Sequence, residues 1–363
     1  MYIQALRKYL TELEEKTRRE RRTWCNEQQI RLGRWQQVAQ RGREVWQEGE
    51  AYRKVNLRLK ELQLEKEEIE KMKKNRKRDS KIAKKANGLP QVPDAFGTFN
   101  EQSEFDLEES EFNNIDKNEM KEIYQFKLKM YENEERRLRE ELHLLDKEKI
   151  QYMQEFKRMR DEEFSKYCGI QTKNQFTVLK DRYLILSILG KGGYSEVYKA
   201  FDLEACREVA CKIHHFDNSW SEAIKDNYIK HAIRENEIHK DLNHRRVVKQ
   251  FDTVEIDHNS FCTILELCSG PDLYFYLKQN RQIPEKEAKL IISQILSGLK
   301  YLNDCKQKII HYDLKPQNII FHSGEVKITD FGLCKIIDEG TEKIELTSPG
   351  VGTYWYQAPE CFQ

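Results

Sequence analysis

His311-Tyr312-Asp313-Leu314-Lys315-Pro316-Gln317-Asn318 and, 12 residues past Asn318, Asp330-Phe331-Gly332 form the stretch that decides how this chain folds. Taken singly these residues are ordinary: an aspartate capping a turn, a lysine before a proline, a glycine closing a loop. Their meaning comes from what lies outward from them. Upstream, the strand-like run Val209-Ala210-Cys211 ends in Lys212, and Glu235 follows 23 residues later in a helical stretch, His231 to Leu242. Lys212 stands 22 residues after Gly190, which belongs to Leu189-Gly190-Lys191-Gly192-Gly193-Tyr194-Ser195-Glu196-Val197, preceded by a strand-like Tyr183-Leu184-Ile185-Leu186. A turn bounded by Gly190 and Gly192 lets backbone N–H groups approach a polyphosphate without Cβ obstruction. Downstream, Ala358-Pro359-Glu360 closes the series. Six elements in this order and spacing do not assemble by chance.

Together the elements resemble the eukaryotic protein-kinase signature over residues 180–363, about half of the chain. The fold class that follows is α+β: a bilobal, protein-kinase-like domain with an incomplete C-lobe, preceded by long coiled-coil helices. The resemblance implies ATP and Mg²⁺ as cofactors and gives each residue a task, because phosphoryl transfer is mostly positioning and charge neutralisation. Lys212 is implied to hold the α- and β-phosphates, Glu235 to hold Lys212, and Asn318 and Asp330 to ligate Mg²⁺, an ion that prefers oxygen. Asp313 is implied to accept the hydrogen bond of the substrate hydroxyl, and Lys315 to balance charge on the transferred group. Leu189, Gly190, Lys191, Gly192 and Gly193 are expected over the nucleotide. Adenine is expected against Val197 and Ala210, bonded to the backbone of Glu266-Leu267-Cys268, with Leu265 as gatekeeper and Asp272 at the ribose position. Lys315 and Thr353 resemble the serine/threonine branch of the family rather than the tyrosine branch.

Several stretches narrow the likeness. Gly192-Gly193-Tyr194-Ser195-Glu196-Val197-Tyr198-Lys199-Ala200-Phe201-Asp202-Leu203, Asp272-Leu273-Tyr274-Phe275-Tyr276-Leu277-Lys278-Gln279, the His311 to Pro316 run, Gly352-Thr353-Tyr354-Trp355-Tyr356 and, near the start, Trp46-Gln47-Glu48-Gly49-Glu50-Ala51-Tyr52 are similar to the Tousled-like serine/threonine kinases. That resemblance implies a nuclear kinase of chromatin assembly, with a histone chaperone as protein substrate and dimerisation through coiled coils. Two departures stand out. Tyr312 replaces the arginine that in the family donates charge-assisted hydrogen bonds to an activation-loop phosphate, so a phosphate on Thr341, Thr347 or Ser348 is not expected to act by the family's usual mechanism. The sequence also stops three residues after Glu360, before the helices that in the family support the catalytic loop. From this a weakly active or poorly folded C-lobe is expected.

The remainder of the chain has a different texture. It has 63 Lys+Arg against 62 Asp+Glu and is 34 % charged, above the average of about 25 %. Interleaved, balanced charge argues against a bulk nucleic-acid binder. Nine scattered cysteines point to reduced thiols rather than a disulfide framework. No run approaches the roughly 18 apolar residues of a membrane span, so a soluble, intracellular protein with no membrane partner is expected. None of the seven prolines precedes Pro90, which predicts long helix over residues 1–86. Within it, residues 71–85 hold nine basic residues in fifteen, a candidate nuclear-import signal or nucleic-acid patch. Residues 87–118 read as a linker and 119–167 as a coiled coil. In the latter, Tyr124, Leu128, Tyr131, Glu135, Leu138, Leu142, Leu145, Lys149, Tyr152, Phe156 and Met159 alternate at spacings of 4 and 3, an apolar seam that must be buried against another helix. Val55, Leu59, Leu62, Lys66 and Ile69 repeat the pattern in the first zone.

The sequence therefore predicts an ATP-dependent serine/threonine kinase that oligomerises through residues 119–160. The competing expectation is a catalytically weak partner that binds full-length relatives through Leu138, Leu142 and Leu145. A nucleic-acid-binding coiled coil rests on residues 71–85 alone.

Overall fold

The computed structural model describes residues 2–37, 44–86, 102–168, 176–192, 195–216, 221, 233, 235–257, 259–337 and 353–359. Two compact units emerge: residues 26–151, and residues 1–25 together with 152–363. Helix α1 (Tyr2–Arg31) and helix α3 (Gln102–Glu163) contribute to both. Among the described residues no helix is long and apolar enough to cross a membrane, and the eight described cysteines are free thiols.

The first unit is a helical hairpin with a small β-ribbon. Strands β1 (Gly33–Gln37) and β2 (Glu44–Glu48) pair antiparallel, with Trp35 opposite Trp46 and their rings edge to face at 5.6 Å. Sequence composition predicts helix through this region; the glycines that interrupt the helical pattern instead mark the ribbon. Gly33 is required where it sits, because its φ is +131° and a Cβ would lie 2.2 Å from the carbonyl oxygen of Gln47. Helix α2 (Glu50–Ala86) follows, and the basic segment 71–85 lies on its helical backbone.

Helices α2 and α3 run antiparallel. Tyr52 bonds Asp146 at 2.9 Å, Arg58 bonds Glu134 at 2.8 Å, Lys66 pairs with Glu135, and Tyr124 lies 3.9 Å from the sulfur of Met72. The two predicted seams therefore meet. Val55, Leu62, Ile69 and Leu145 are buried, and two of the three charged seam residues, Lys66 and Glu135, meet as an ion pair. Lys149, also on the seam, lies over the ring of Trp46 at 4.1 Å, a cation–π contact that keeps its charge partnered. Helix α2 thus covers part of the seam: Leu145 is buried, while Leu128, Tyr131, Leu138 and Leu142 stay half-buried. Corrections concern its limits. Residues 102–118, expected as linker, are helical, and α3 ends at Glu163 rather than 167. The remainder of the expected linker, 87–101, lies outside the described residues. From Tyr152 the seam belongs to the second unit, where Tyr152 packs on Trp24 and Phe156.

The second unit begins earlier than residue 180, since α1 up to Cys25 and the end of α3 belong to it. Its sheet has the order β3-β4-β5-β6-β8-β7, all antiparallel, built from β3 (Val178–Leu179), β4 (Tyr183–Lys191), β5 (Ser195–Asp202), β6 (Arg207–His215), β7 (Gln250–Asp257) and β8 (Ser260–Glu266). In β5 alternate residues are buried, the period of a strand with one covered face; Tyr198, Ala200, Val209, Cys211, Ile213, Cys262 and Ile264 fill that core. The C-terminal lobe packs α4 (Leu273–Gln279) and α5 (Glu285–Asp304) around the short strands β9 (Lys308–Ile310), β10 (Ile319–His322), β11 (Glu325–Ile328) and β12 (Lys335–Ile337). Helix α5 buries Ile291, Ile295 and Leu302 along one stripe, against Phe331 and Ile328 among others. Antiparallel sheet and separate helices make the fold α+β.

A core position and an exposed one on the same helix separate the two effects. Leu62→Ala is expected to cost about 2–5 kcal/mol, because Leu62 is 1 % exposed. Leu57→Ala, at 61 % exposed, should change stability by no more than about 0.5 kcal/mol. Urea unfolding followed by circular dichroism measures both.

Candidate active site

Strand β6 carries Lys212 between Val197 of β5 and Thr263 of β8. Its ammonium Nζ lies 3.2 Å from Glu235 Oε1 and 2.9 Å from Asp330 Oδ1. Glu235 stands on the helical residues 235–239. Burial alone would push the Lys212 pKa down, but the two carboxylates outweigh it and hold the ammonium above its ordinary range. The same charge, acting against burial, holds Asp330 below the usual carboxylate range. Asp330 adopts φ +66°, and the neighbouring Phe331 is fully buried against His239 and His311 at 4.6 and 5.1 Å. Buried packing of Phe331 and the hydrogen bond from His311 Nε2 to the Thr329 carbonyl, 2.9 Å, over-determine this unusual backbone.

Asp313 lies at the centre of a second cluster. Its Oδ2 receives Lys315 Nζ at 2.6 Å and Asn318 Nδ2 at 3.2 Å, and its Oδ1 receives the backbone N–H and hydroxyl of Thr353 at 3.0 and 2.7 Å. Lys315 also reaches the Thr353 hydroxyl at 2.8 Å. Asn318, buried, gives its remaining amide hydrogen to the Asp313 carbonyl at 2.8 Å. The Asn318 side-chain oxygen is therefore the end left to accept or ligate. The N–H of Thr329 donates to the Asn318 carbonyl at 3.0 Å, which sets Asn318 beside Asp330 and links the two clusters. Thr353, used in the sequence only as a branch marker, thus contacts both Asp313 and Lys315; its position ahead of Ala358-Pro359 is the signal that could have found it.

The apolar floor also assembles. Ala210, Val248 and Leu265 are buried in one cluster with Val197, Leu267 and Cys268 packed against it. Val248 is the member that sequence reasoning missed, since an isolated valine outside any motif carries no signal. Burial and the nearby Glu266 carboxylate raise the Cys268 thiol to about 11. Glu266 turns its side chain to Lys327, with both oxygens 2.8 Å from Nζ. Leu189 is exposed at the end of β4, and Lys191 pairs with Glu196 at 2.8 Å. Gly192 closes the turn by donating its N–H to the Ser195 carbonyl at 2.8 Å. A Cβ at Gly190 would meet nothing within 4 Å, so packing does not demand glycine there; its absence keeps the backbone approachable from the open side. Gly193, like Thr341, Thr347, Ser348 and Glu360, lies outside the described residues. Asp272, which the resemblance places at the ribose, also caps α4: its Oδ1 accepts from the Phe275 N–H at 2.8 Å. At the altered position, Tyr312 has φ +68° and the Lys335 ammonium lies 4.5 Å over its ring.

The donor set suits magnesium with a polyphosphate. Two carboxylates around one ammonium leave a negative balance beside the Asn318 amide oxygen, and these are hard oxygen donors. No group of three or more His, Cys, Asp or Glu capable of holding a metal occurs among the described residues.

Residues 183–363 match the model of the protein kinase domain, so the sheet, the lysine bridge and the Asp313 cluster are those of a protein kinase domain. The serine/threonine-protein kinase TOUSLED of Arabidopsis thaliana is 43 % identical over 352 residues, 95 % of this chain and 47 % of that protein. Tousled-like 1 of Caenorhabditis elegans is 51 % identical over 252 residues, 67 % of this chain and 26 % of that protein. Human tousled-like 2 is 49 % identical over 252 residues, 67 % and 32 % respectively. The chain belongs to the Tousled-like serine/threonine kinase family. It spans about half the length of the Arabidopsis protein and about a third or less of the two animal ones. The likeness to the Arabidopsis protein takes in the helical unit as well as the kinase domain.

Two imidazoles beside the lysine predict an acid-sensitive fold. Burial, aided by the Lys212 charge, lowers His214 from 6.5 to about 3, and burial lowers His239 to about 4. Both are neutral when folded, so their contribution is complete above the unfolded value of 6.5 and is lost as the pH falls toward 4. Unfolding free energy measured from pH 7 to pH 5 should therefore fall, by up to about 1.4 kcal/mol per pH unit per imidazole. His214→Phe, which preserves the stack on Phe261 at 4.4 Å, should flatten part of the slope.

Proposed function

We propose that the protein transfers the γ-phosphoryl group of ATP to serine or threonine hydroxyls of a protein substrate. The observation that carries this reading is the Lys212 ammonium held by Glu235 and Asp330 at 3.2 and 2.9 Å, which brings residues of the sheet and of the C-terminal lobe to one point. Lys212, fixed in this way, is placed to hold the α- and β-phosphates under the glycine turn. Val197, Ala210, Val248 and Leu265 offer an apolar bed for the adenine. Asp330 and the Asn318 oxygen would hold Mg²⁺, which when bound neutralises charge on the β- and γ-phosphates.

Asp313 takes the acceptor hydroxyl. Support for this comes from the Thr353 hydroxyl, which lies 2.7 Å from the Asp313 carboxylate and 2.8 Å from the Lys315 ammonium. A substrate hydroxyl bonded to the same carboxylate would have its oxygen aimed at the phosphorus and its proton directed at Asp313, while Lys315 offsets charge on the transferring oxygens. What supports a serine/threonine acceptor, a nuclear place of action and a histone chaperone as substrate is the family likeness.

Transfer of labelled phosphate from ATP to a serine/threonine protein substrate, measured on the purified chain, tests the proposal. Asp313→Asn should lower kcat by roughly 10²–10⁴-fold with ATP affinity retained. Equal transfer by the variant, or transfer that proceeds without a divalent ion, would overturn it.

A further inference from the structure

The strand that feeds the glycine turn is gripped from behind by the helical segments of its own unit. Strand β4 pairs with β5 irregularly, with register shifts between Ile185 and Ser187 and between Ile188 and Gly190. Such bulges leave backbone groups outside the ladder. Arg18 of α1 donates to the carbonyl of Leu186, the residue skipped at the first shift. Arg158, near the end of α3, donates from Nε to the Ile188 carbonyl at 2.6 Å and from Nη2 to Ser187 Oγ at 3.0 Å. One planar fork thus fixes two consecutive residues just ahead of Gly190.

A second line of contacts ends on the turn itself. Ser165, two residues past α3, is fully buried, and its Oγ accepts the N–H groups of Tyr167 and Cys168, both at 3.2 Å. The Tyr198 hydroxyl donates to Glu196, so the 2.6 Å bond between Ser165 and Tyr198 uses the serine hydrogen. Glu196 in turn holds Lys191, the residue between the two glycines, at 2.8 Å. Glu196 is nearly inaccessible to solvent, and although burial opposes its charge, Lys191 and Tyr198 keep its pKa below the ordinary carboxylate value. Ser165 donates to Tyr198 and Tyr198 to Glu196, while Lys191 donates to the same carboxylate from the other end, so every group from Ser165 to Lys191 is partnered.

We propose that the end of α3 is a positioning element of the nucleotide site: Arg158 sets the β4 bulge, and Ser165 sets Lys191 through Tyr198 and Glu196. The proposal rests on the kinase reading for its substrate but not for its geometry. None of these side chains reaches the Lys212 or Asp313 clusters, so they act on the glycine turn and not on the reacting atoms. Any change that loosens the last turn of α3 would then weaken the hold on ATP, which makes the helical segment an input to the site.

Two variants in the full chain test this. Tyr198→Phe removes the relay hydroxyl and keeps the ring; Arg158→Gln removes the fork. Backbone hydrogen exchange of the nucleotide-free protein is read at residues 188–192 and, in the same spectra, along β6 and β8. The KM for ATP and kcat are measured alongside. Expected is exchange at 188–192 faster by about tenfold with β6 and β8 unchanged, and a KM for ATP raised about five- to tenfold, the scale of one buried hydrogen bond, at nearly constant kcat. Unchanged exchange at 188–192, or an equal rise throughout the sheet, would overturn the proposal. Faster exchange at 188–192 alone in a chain that transfers no phosphate would uphold the positioning and reject the kinase reading.

Discussion

One ammonium between two carboxylates holds this molecule's chemistry together. Removing Lys212 from water is costly, and the cost is offset only because Glu235 and Asp330 approach from different parts of the chain. The contact therefore ties the sheet, the helical turn at 235–239 and the segment after β11 into one arrangement. Loss of either carboxylate would leave a charge poorly compensated in a low-dielectric pocket. The same geometry explains why Asp330 tolerates a left-handed backbone: Phe331 anchors it on one side and the lysine on the other.

The helical unit follows a related rule. A narrow apolar stripe on a highly charged helix must find a partner, and here the partner is the preceding helix of the same chain. Lys66 and Glu135 mark the register, since sliding the antiparallel helices by one heptad would separate them and set the Lys66 ammonium against Leu128 or Leu142. Beyond residue 151 the stripe changes role. Tyr152 and Phe156 pack within the kinase-containing unit, and Arg158 and Ser165 carry the helix's influence into the strand ahead of Gly190. One continuous helix thus serves an internal hairpin with its first part and the nucleotide-binding sheet with its last.

Much of the site was legible because phosphate chemistry demands particular residue types at particular spacings. Lys212, Glu235, Asp313, Lys315, Asn318 and Asp330, each ordinary alone, could be picked out from their joint order and the resemblance it carries, and the structure gathers them into two linked clusters. What the sequence could not show was how side chains are shared. Asp272, at the ribose position by resemblance, also caps α4 with one carboxylate oxygen; Val248 joins the apolar floor from outside any motif; Thr353 completes the Asp313 cluster through its hydroxyl. Periodicity shows that the stripes on α2 and α3 must be buried and does not show by what, so an intrachain hairpin and a dimer look alike in sequence. The ribbon at residues 33–48 was hidden for another reason: glycines that mark a close backbone approach also resemble mere interruptions of a helix.

The most direct measurement is the titration of the Lys212 ammonium, followed by nitrogen NMR in protein labelled at lysine, with Glu235→Gln for comparison. A bridged ammonium keeps its proton above the ordinary lysine value of 10.5, and the midpoint falls in the variant. A midpoint at or below that value, unmoved by Glu235→Gln, would contradict the bridge and with it the assembly of the site.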